Sequence, residues 1–545
     1  MPQSSPLQLP PSGVSFTPDG SSADVPTLLI QAEHNTEDTP IRELAVELLL
    51  EIFNNTLAVD DQNHYDQLYV LALVCKAWWL LIKSTPEFWR FVDGTNSNWR
   101  VALERSKLHP LRVILDLYGL QLVEGYHPGN KDAYWSSIIR HTSRWRYANL
   151  ELDTRAHLPA CEDLAPITES FFLTLRRRVP ETPRLLLFGD SNPKLKELSL
   201  TNVALRNWSL PWLTGLRYLS LWELKDHAPT LLELRNVLCN SPELKVLRLG
   251  KIGFTTIPAL DLPPVHLPRL KKLDVRLLDP LTIPYLLSGA TAPNCPKVNI
   301  STTNYSLIVP AIVSTACAEF LYPSLISRLT RSHQLKILIR RSRCIFHVVG
   351  DNDALHPSMH VRLDYLSEQD IFAGWMVPLL AQLPSSASPE VSVELFSSCG
   401  LNPLELVNTL RLIPNMTSLE TWDKSVCLDE LIRALSSPEM VDGRARWMWP
   451  KLRHLRLQRL SLDLPSVDIL KMVQNRSGLD KDGEQGNMLD WPEPITELRI
   501  PDGYAMDDKT YDAIRAIVGP GATMMMSRKN AIRDGYEVRL PDIGG

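Results

Sequence analysis

A leucine pattern that recurs along the chain constrains the fold more than any other feature. Runs of the form Leu-x-x-Leu-x-Leu, with Val or Ile allowed at some of these positions, return at intervals of 21, 28 and 26 residues in the middle of the chain. The six clear copies begin at Leu195, Leu216, Leu244, Leu270, Leu452 and Ile495. Units that repeat at such intervals stack on one another and share one continuous core. The pattern therefore predicts a solenoid.

The intervals lie in or near the range of leucine-rich repeats, in which each unit contains one strand. Weaker copies begin at Tyr147 and Met416. Between residues 276 and 410 we predict only isolated strands, at 298–300, 335–339, 361–363 and 391–395. Amphipathic runs at 230–239, 403–412 and 466–476 predict returning helices. The fold class is therefore α/β, with an irregular solenoid of leucine-rich-repeat type.

Strand alternation indicates which residues face away from the leucine core. This open face carries Glu197, Ser199, Thr201, Tyr218, Ser220, Trp222, Arg248, Lys272, Asp274, Arg276, His454, Arg456, Gln458, Glu497 and Arg499. The candidate contacts with a bound protein are Tyr218, Trp222, Arg248, Arg276, His454, Arg456 and Arg499. An ordinary solvated strand face is the alternative interpretation of these residues.

The segment from residue 40 to residue 92 has a different, helical pattern. Leu44, Leu48 and Ile52 are spaced by four, and Leu49 and Phe53 form an adjacent row, so one short helix carries a broad apolar stripe. A second helix and a short third segment follow the polar loop 60–66. Three short helices cannot bury so much apolar surface among themselves. The segment is therefore predicted to pack against something else, either a partner or, as a cap, the solenoid.

Two strings in this segment resemble the F-box, a module that docks onto the Skp-type adaptor of cullin-RING ubiquitin ligases. The first is Glu-Leu-Ala-Val-Glu-Leu-Leu-Leu-Glu-Ile-Phe at 43–53. The second is Val-Cys-Lys-Ala-Trp at 74–78, followed by Ser-Thr-Pro-Glu-Phe-Trp at 84–89. The runs at 103–107 and 141–145 are also similar to a fungal-type family that joins an F-box to leucine-rich repeats.

The resemblance implies a substrate-recognition subunit of a Skp–cullin–F-box ubiquitin ligase. The F-box would dock on the adaptor and the repeats would bind a substrate protein, with no catalytic residue and no cofactor in this chain. The residues implied in adaptor binding are Leu44, Leu48, Leu49, Ile52, Phe53, Val74, Trp78, Phe88 and Trp89. Among these, Trp78 and Trp89 are the expected anchors, because buried aromatic residues dominate interfaces.

The alternative function is a leucine-rich-repeat interaction scaffold without ligase association. It is suggested by Ala45, which stands where the F-box family usually has proline, and by the long loop 60–66. An enzyme in its own right is a third hypothesis, for which the sequence offers no set of titratable residues. The predicted organisation is a disordered tail at 1–38, the F-box at 39–93, a connecting segment at 94–144, the solenoid at 145–505 and a C-terminal cap at 506–545.

Several classes of partner and site are not expected. The net charge of −5 argues against nucleic acid as the main partner. No Cys-x-x-Cys occurs, and His356 and His360 lack the glutamate of a metalloprotease helix, so no metal site is predicted. The start of the chain lacks a secretory signal, and the apolar stretch 306–326 contains Glu319 and two prolines. We expect a protein of the cytoplasm, the nucleus or both, neither secreted nor bound to a membrane.

Overall fold

The computed structural model covers most of the repeat region and the helical segment. The residues it describes are 44–57, 64–94, 98–116, 128–162, 167–176, 182–188, 193–224, 227–254, 262–302, 310–340, 343–350, 359–364, 380, 389–396, 403–413, 415–422, 428–441, 444–457, 465–478, 491–501 and 506–525. The predicted tail at 1–38 lies outside them. The chain is divided into two compact units: residues 1–92 with 96–111, and residues 93–95 with 112–545.

The first unit is helical. Its elements are α1 (Val46–Leu57), α2 (His64–Ala72), α3 (Lys76–Ser84), a 3-10 turn (Pro86–Trp89) and α4 (Trp99–Arg105). At the start of α1, the carbonyl of Ala45 accepts hydrogen bonds from the backbone N–H groups of Leu48 and Leu49. The first turn is therefore formed with alanine at this position.

Aromatic rings form the core of this helical unit. The ring of Phe53 on α1 lies 4.7 Å from that of Trp78 on α3, edge to face. Trp89 is fully buried, and its indole Nε1 donates a hydrogen bond of 2.8 Å to the carbonyl of Ile82. The guanidinium of Arg105 on α4 covers the same indole at 4.4 Å. Because α4 contributes this contact, the helical unit extends beyond the 39–93 segment that resembles an F-box.

The second unit is mixed α/β and is dominated by one large, mostly parallel sheet. The sheet has seventeen strands among the described residues, of which the first is the short strand Phe91–Asp93. The other sixteen are β1 (Leu111–Asp116), β2 (Trp145–Leu152), β3 (Ser170–Leu175), β4 (Glu197–Thr201), β5 (Tyr218–Trp222), β6 (Val246–Gly250), β7 (Lys272–Leu278), β8 (Lys297–Thr302), β9 (Ser332–Arg340), β10 (Arg343–Gly350), β11 (Met359–Asp364), β12 (Glu390–Leu395), β13 (Met416–Thr421), β14 (His454–Leu457), β15 (Glu497–Pro501) and β16 (Ala522–Met525).

In two stretches of the sheet the strands follow one another in chain order. From β2 to β8 each strand pairs in parallel with the next, and the same holds from β12 to β16. The second leucines of four repeats are direct neighbours in this ladder: Leu198, Leu219, Leu247 and Leu273. Each is at most 2% exposed. The predicted strands and their buried leucines are confirmed.

In the middle of the sheet the strands are not in chain order: they run β8, β11, β10, β9, β12. The repeat pattern did not predict this arrangement. All four isolated strands predicted between 276 and 410 are present, as β8, β9, β11 and β12. Between them lies the unpredicted β10, which pairs antiparallel with both β9 and β11. As a result β11 pairs with β8, and β9 pairs with β12. A short connection suffices between antiparallel strands, so no helical crossover separates β9 from β10.

Helices, most of them short, follow many of the strands in this unit. The α-helices are α5 (Pro128–Ile138), α6 (Leu231–Cys239), α7 (Thr282–Leu287), α8 (Pro310–Leu329), α9 (Pro403–Arg411), α10 (Leu428–Ser436), α11 (Ser466–Ser477) and α12 (Asp508–Val518). Three of them, α6, α9 and α11, confirm the predicted returning helices. The unit also contains 3-10 turns, at Ile139–Arg144, Arg155–Cys161, Pro211–Leu213 and Gly519–Gly521.

Three pairs of short strands complete the unit. The pair Arg184–Leu185 with Ala204–Leu205 and the pair Val265–His266 with Ala290–Thr291 are parallel, and Glu439–Val441 pairs antiparallel with Arg444–Arg446. The segment predicted as a connection, 94–144, is shared between the two units. Within the predicted C-terminal cap, β16 continues the sheet by pairing in parallel with β15.

Candidate functional site: an apolar helical surface and an open sheet face

Exposed large apolar side chains are concentrated on the helical unit, which is the smaller of the two units. Of the 17 such side chains among the described residues, eight lie between residues 46 and 108. Leu48 and Ile52 are 49% and 45% exposed and stand one turn apart on α1. At the end of α2, Val70, Leu73 and Val74 are still more exposed, and backbone hydrogen bonds continue the helical turn through Val74. Because exposed apolar patches mark interaction sites when they are large and contiguous, these side chains are the candidate interaction surface of the helical unit.

The nine residues that the resemblance implies in adaptor binding fall into two groups. Leu48, Ile52 and Val74 are exposed, and Leu44 and Trp78 are half-buried. The other four are buried in the helical unit: Leu49, Phe53, Phe88 and Trp89. The expectation that Trp89 anchors the adaptor is therefore corrected, because its whole side chain is enclosed by its own unit. Buried residues of this kind hold the helices together rather than meet a partner.

On the sheet, four of the predicted contact residues come together. Tyr218 and Trp222 on β5, Arg248 on β6 and Arg276 on β7 line one groove of about 380 Å³ on the open face. The remaining lining residues are Ser199, Thr201, Ser220, Lys272 and Asp274. All nine were assigned to the open face by strand alternation. We call this the first groove.

Because Gly250 has no side chain, it leaves room for the indole of Trp222 in the first groove. The two residues are neighbours in the parallel pairing of β5 with β6. A Cβ at residue 250 would overlap the six-membered ring of Trp222, so the indole lies directly over the glycine. The close approach requires glycine at this point of the strand.

We expect Gly250→Ala to destabilise the sheet unit, because the added methyl forces the indole of Trp222 out of its position. The cost should be about 1–3 kcal/mol, as for other overpacked sites. Urea denaturation of the full chain measures it. In a Trp222→Ala background the same change should cost much less, and equal costs in the two backgrounds would contradict the packing described.

Beside the first groove runs a line of aromatic rings that sequence reasoning missed. Tyr147 on β2 lies 5.4 Å from Phe172 on β3, which lies 5.7 Å from Tyr218. The guanidinium of Arg112 covers Tyr147 at 4.4 Å, and that of Arg248 lies 5.7 Å from Tyr218. The sequence pattern aligned Tyr147 with the first leucine of the clear repeats, but the strand pairing places it level with Ser170 and Glu197, on the open face. The strand β3 lacks the complete leucine pattern. Extending the alternation along longer strands would have found both rings.

The remaining predicted contact residues lie on a different part of the sheet. His454 and Arg456 line a second groove of about 250 Å³, together with residues of β9, β12 and β13. Arg499 lies beside Arg456 in the pairing of β14 with β15. The predicted face is thus divided into two separate grooves, and we call the one with His454 the second groove.

Charges in and beside the second groove are paired with one another. Arg456 contacts Glu420 at 3.4 Å and Glu497 at 3.1 Å, and Arg499 contacts Glu497 at 2.6 Å. Burial opposes ionisation of Glu497, but hydrogen bonds from the two arginines outweigh it and lower the pKa of Glu497. Lys336 likewise pairs with Glu394. These cations already have carboxylate partners, and an anionic ligand would have to displace those carboxylates.

No group of three or more potential ligands for a metal ion occurs among the described residues. His360 lies in β11, where its ring is 6.2 Å from that of His347 on β10, and His356 lies outside the described residues. Cys161 and Cys317 are buried, and burial raises the pKa of each thiol to about 12. In the part of the chain with assigned structure, no helix has the length and apolarity needed to cross a bilayer.

The chain was compared with known proteins in two ways. Neither a scan against models of protein families nor a search of curated proteins gave a match.

Proposed function

We propose that this chain recruits substrates to a Skp–cullin–F-box ubiquitin ligase. The observation that carries the proposal is the exposed apolar surface of the helical unit, centred on Leu48 and Ile52 of α1 and on Val74 after α2. These three residues belong to the strings that resemble an F-box. Burying such side chains against a partner gains about 1.5–3 kcal/mol each when burial is complete.

The open face of the sheet supports the proposed binding of a substrate protein. The first groove combines Tyr218, Trp222 and Arg248, and aromatic and arginine side chains contribute most of the binding energy in protein interfaces. The groove lies on strands whose other face is filled by the leucine core, so a bound segment meets a rigid surface. In this proposal the groove holds the substrate protein.

The chain would supply binding rather than bond-making chemistry. One surface holds the ligase and another holds the substrate, so ubiquitin transfer becomes an event within one assembly. Tethering of this kind raises the effective concentration of the reacting groups to the millimolar range or above. No cofactor or catalytic residue of this chain is needed for that effect.

Reconstitution tests the proposal. The full chain is mixed with the purified adaptor and with the adaptor bound to a cullin, and each mixture is resolved by size-exclusion chromatography. Co-elution of the chain with both is the expected result. A chain that stays separate from both while binding other proteins would instead be an interaction scaffold without ligase association.

A further inference from the structure

The line of aromatic rings beside the first groove, formed by Tyr147, Phe172 and Tyr218, is a half-buried surface on the open face. It crosses the four strands from β2 to β5, a width of about 14 Å at the usual strand spacing. Neighbouring rings are tilted by 39° and 54° to one another, so the line is ridged rather than flat. Each of β2, β3 and β5 contributes one ring to it, and so narrow a surface suits a slender ligand.

The two outer rings of the aromatic line already have cationic neighbours. The guanidinium of Arg112 lies 4.4 Å from the ring of Tyr147, and that of Arg248 lies 5.7 Å from the ring of Tyr218. These contacts hold the rings in place and use the faces to which a cation would bind. A cationic ligand, such as a methylated lysine, would also be repelled by the two guanidinium groups. The ligand of the line is therefore one that packs on the rings through apolar contact.

The sheet beneath the rings offers a peptide no main-chain partner. Each of the strands β2 to β5 is paired on both sides, so its N–H and C=O groups are used within the sheet. A segment lying on this face cannot be added as a further strand. An ordinary extended peptide would leave its own N–H groups without such acceptors, which is unfavourable. Proline has no backbone N–H, so a proline-rich segment avoids this cost.

At the end of the line, one donor fits a ligand with free carbonyl groups. The Nε of Arg248 is buried and has no hydrogen-bond partner among the described residues. A polyproline II segment makes no internal hydrogen bonds, so all its carbonyl oxygens can accept one. An α-helix uses most of its carbonyl groups internally and is about 10–12 Å wide with its side chains. The donor and the narrow line therefore favour polyproline II over a helix.

We propose that the aromatic line and Arg248 bind a proline-rich segment of the substrate protein in the polyproline II conformation. The inference rests on the proposed function and names the class of segment that the open face recognises. Proline rings pack on Tyr147, Phe172 and Tyr218, and a main-chain carbonyl accepts a hydrogen bond from the Nε of Arg248. At 3.1 Å per residue, about five residues of such a segment span the line. Its preformed conformation keeps the entropy lost on binding small.

The test uses the full chain and three degenerate peptide pools that differ only at two fixed positions, which hold proline, alanine or glycine. The random positions carry no ionisable side chain. We expect the proline pool to be retained about tenfold more than the other two. Phe172→Leu keeps an apolar side chain on β3 but removes the central ring, so it should abolish the preference. Arg248→Met should weaken retention of the proline pool about fivefold, because it removes the donor. His454→Ala, in the second groove, is the matched control and should change nothing.

Equal retention of the three pools would overturn the proposal, and so would a preference for the alanine pool, which favours helices. An unchanged proline preference in both Phe172→Leu and Arg248→Met would overturn the location of the site. Adaptor binding is measured on the same wild-type preparation. A proline preference without adaptor binding would support the site and contradict only the ligase function, whereas adaptor binding without the preference would contradict only the site.

Discussion

Trp89→Ala is expected to unfold the helical unit. The side chain is fully buried, and the substitution removes both its packing and the hydrogen bond from Nε1 to the carbonyl of Ile82. It also removes the nearer of the two indole rings that the guanidinium of Arg105 contacts, that of Trp89 at 4.4 Å, and leaves that of Trp79 at 5.4 Å. Replacing a buried tryptophan with alanine costs about 3–5 kcal/mol, which is comparable to the whole stability of a small helical unit.

Hydrogen exchange of the full chain, read over residues 64–92, measures this loss. Leu80→Ala is the matched control, because Leu80 lies in the same unit with 53% of its surface exposed and should change stability by no more than about 0.5 kcal/mol. Equal protection in wild type and Trp89→Ala would contradict the described core. A loss of adaptor binding in Trp89→Ala would report unfolding, so this variant does not test docking.

Arg235→Ala should have a similarly large effect on the sheet unit. Arg235 lies on α6, is fully buried and donates hydrogen bonds to the backbone carbonyls of four residues, Pro263, Tyr285, Leu286 and Ser288. Its Nε contacts the carbonyl of Pro263 at 3.0 Å, and Nη1 contacts those of Tyr285 at 2.8 Å and Ser288 at 2.7 Å. Removing the side chain leaves these acceptors unsatisfied, at a total cost of about 3 kcal/mol or more.

Urea denaturation of the full chain measures this effect. Arg235→Lys should recover part of the lost stability, because an ammonium group donates to fewer of the carbonyls than the planar guanidinium. Arg269→Ala is the surface control: its side chain is 62% exposed and its ion pair with Glu243 contributes about 0–1 kcal/mol. Equal stability of Arg235→Ala and Arg269→Ala would show that the buried network does not support the fold.

How much of the fold could be predicted depended on whether a residue's role follows from local spacing. The strands with buried leucines were predictable because their alternation places every second side chain in the core, as at Leu198 and Leu200. The strand β10 was missed because the repeat pattern implies parallel strands with long crossovers. The run from Ser332 to Gly350 instead folds back on itself within two strands.

The site was predictable in its position but not in its energetics. Alternation correctly put Tyr218 and Arg248 on one face, but it could not tell that Arg456 is paired with carboxylates, whereas the Nε of Arg248 has no partner among the described residues. Spacing also could not separate the two sides of α1, where Leu49 and Phe53 are buried and Leu48 and Ile52 are exposed. That separation depends on how the three helices pack.

The burial of two arginines could not be predicted either, because it also depends on how distant segments pack. Arg476 on α11 repeats the role of Arg235, since its guanidinium donates to the carbonyls of Met448 at 3.1 Å and Trp449 at 2.9 Å. Burial lowers the pKa of Arg476 to about 10. The sequence alone would predict that both arginines are exposed on the polar faces of amphipathic helices. Only the path of the neighbouring loops brings carbonyl groups within reach of them.

The most direct test of the central claim is the dissociation constant of the full chain for the Skp-type adaptor. We predict micromolar or tighter binding by wild type, weakened roughly 30-fold, or about 2 kcal/mol, in the Leu48→Ser, Ile52→Ser double variant. Leu108→Ser is the matched control, because Leu108 is an exposed leucine of the same unit outside α1 and α2. It should bind as wild type does. No binding by folded wild type, or equal binding by all three proteins, would contradict docking through the exposed apolar surface.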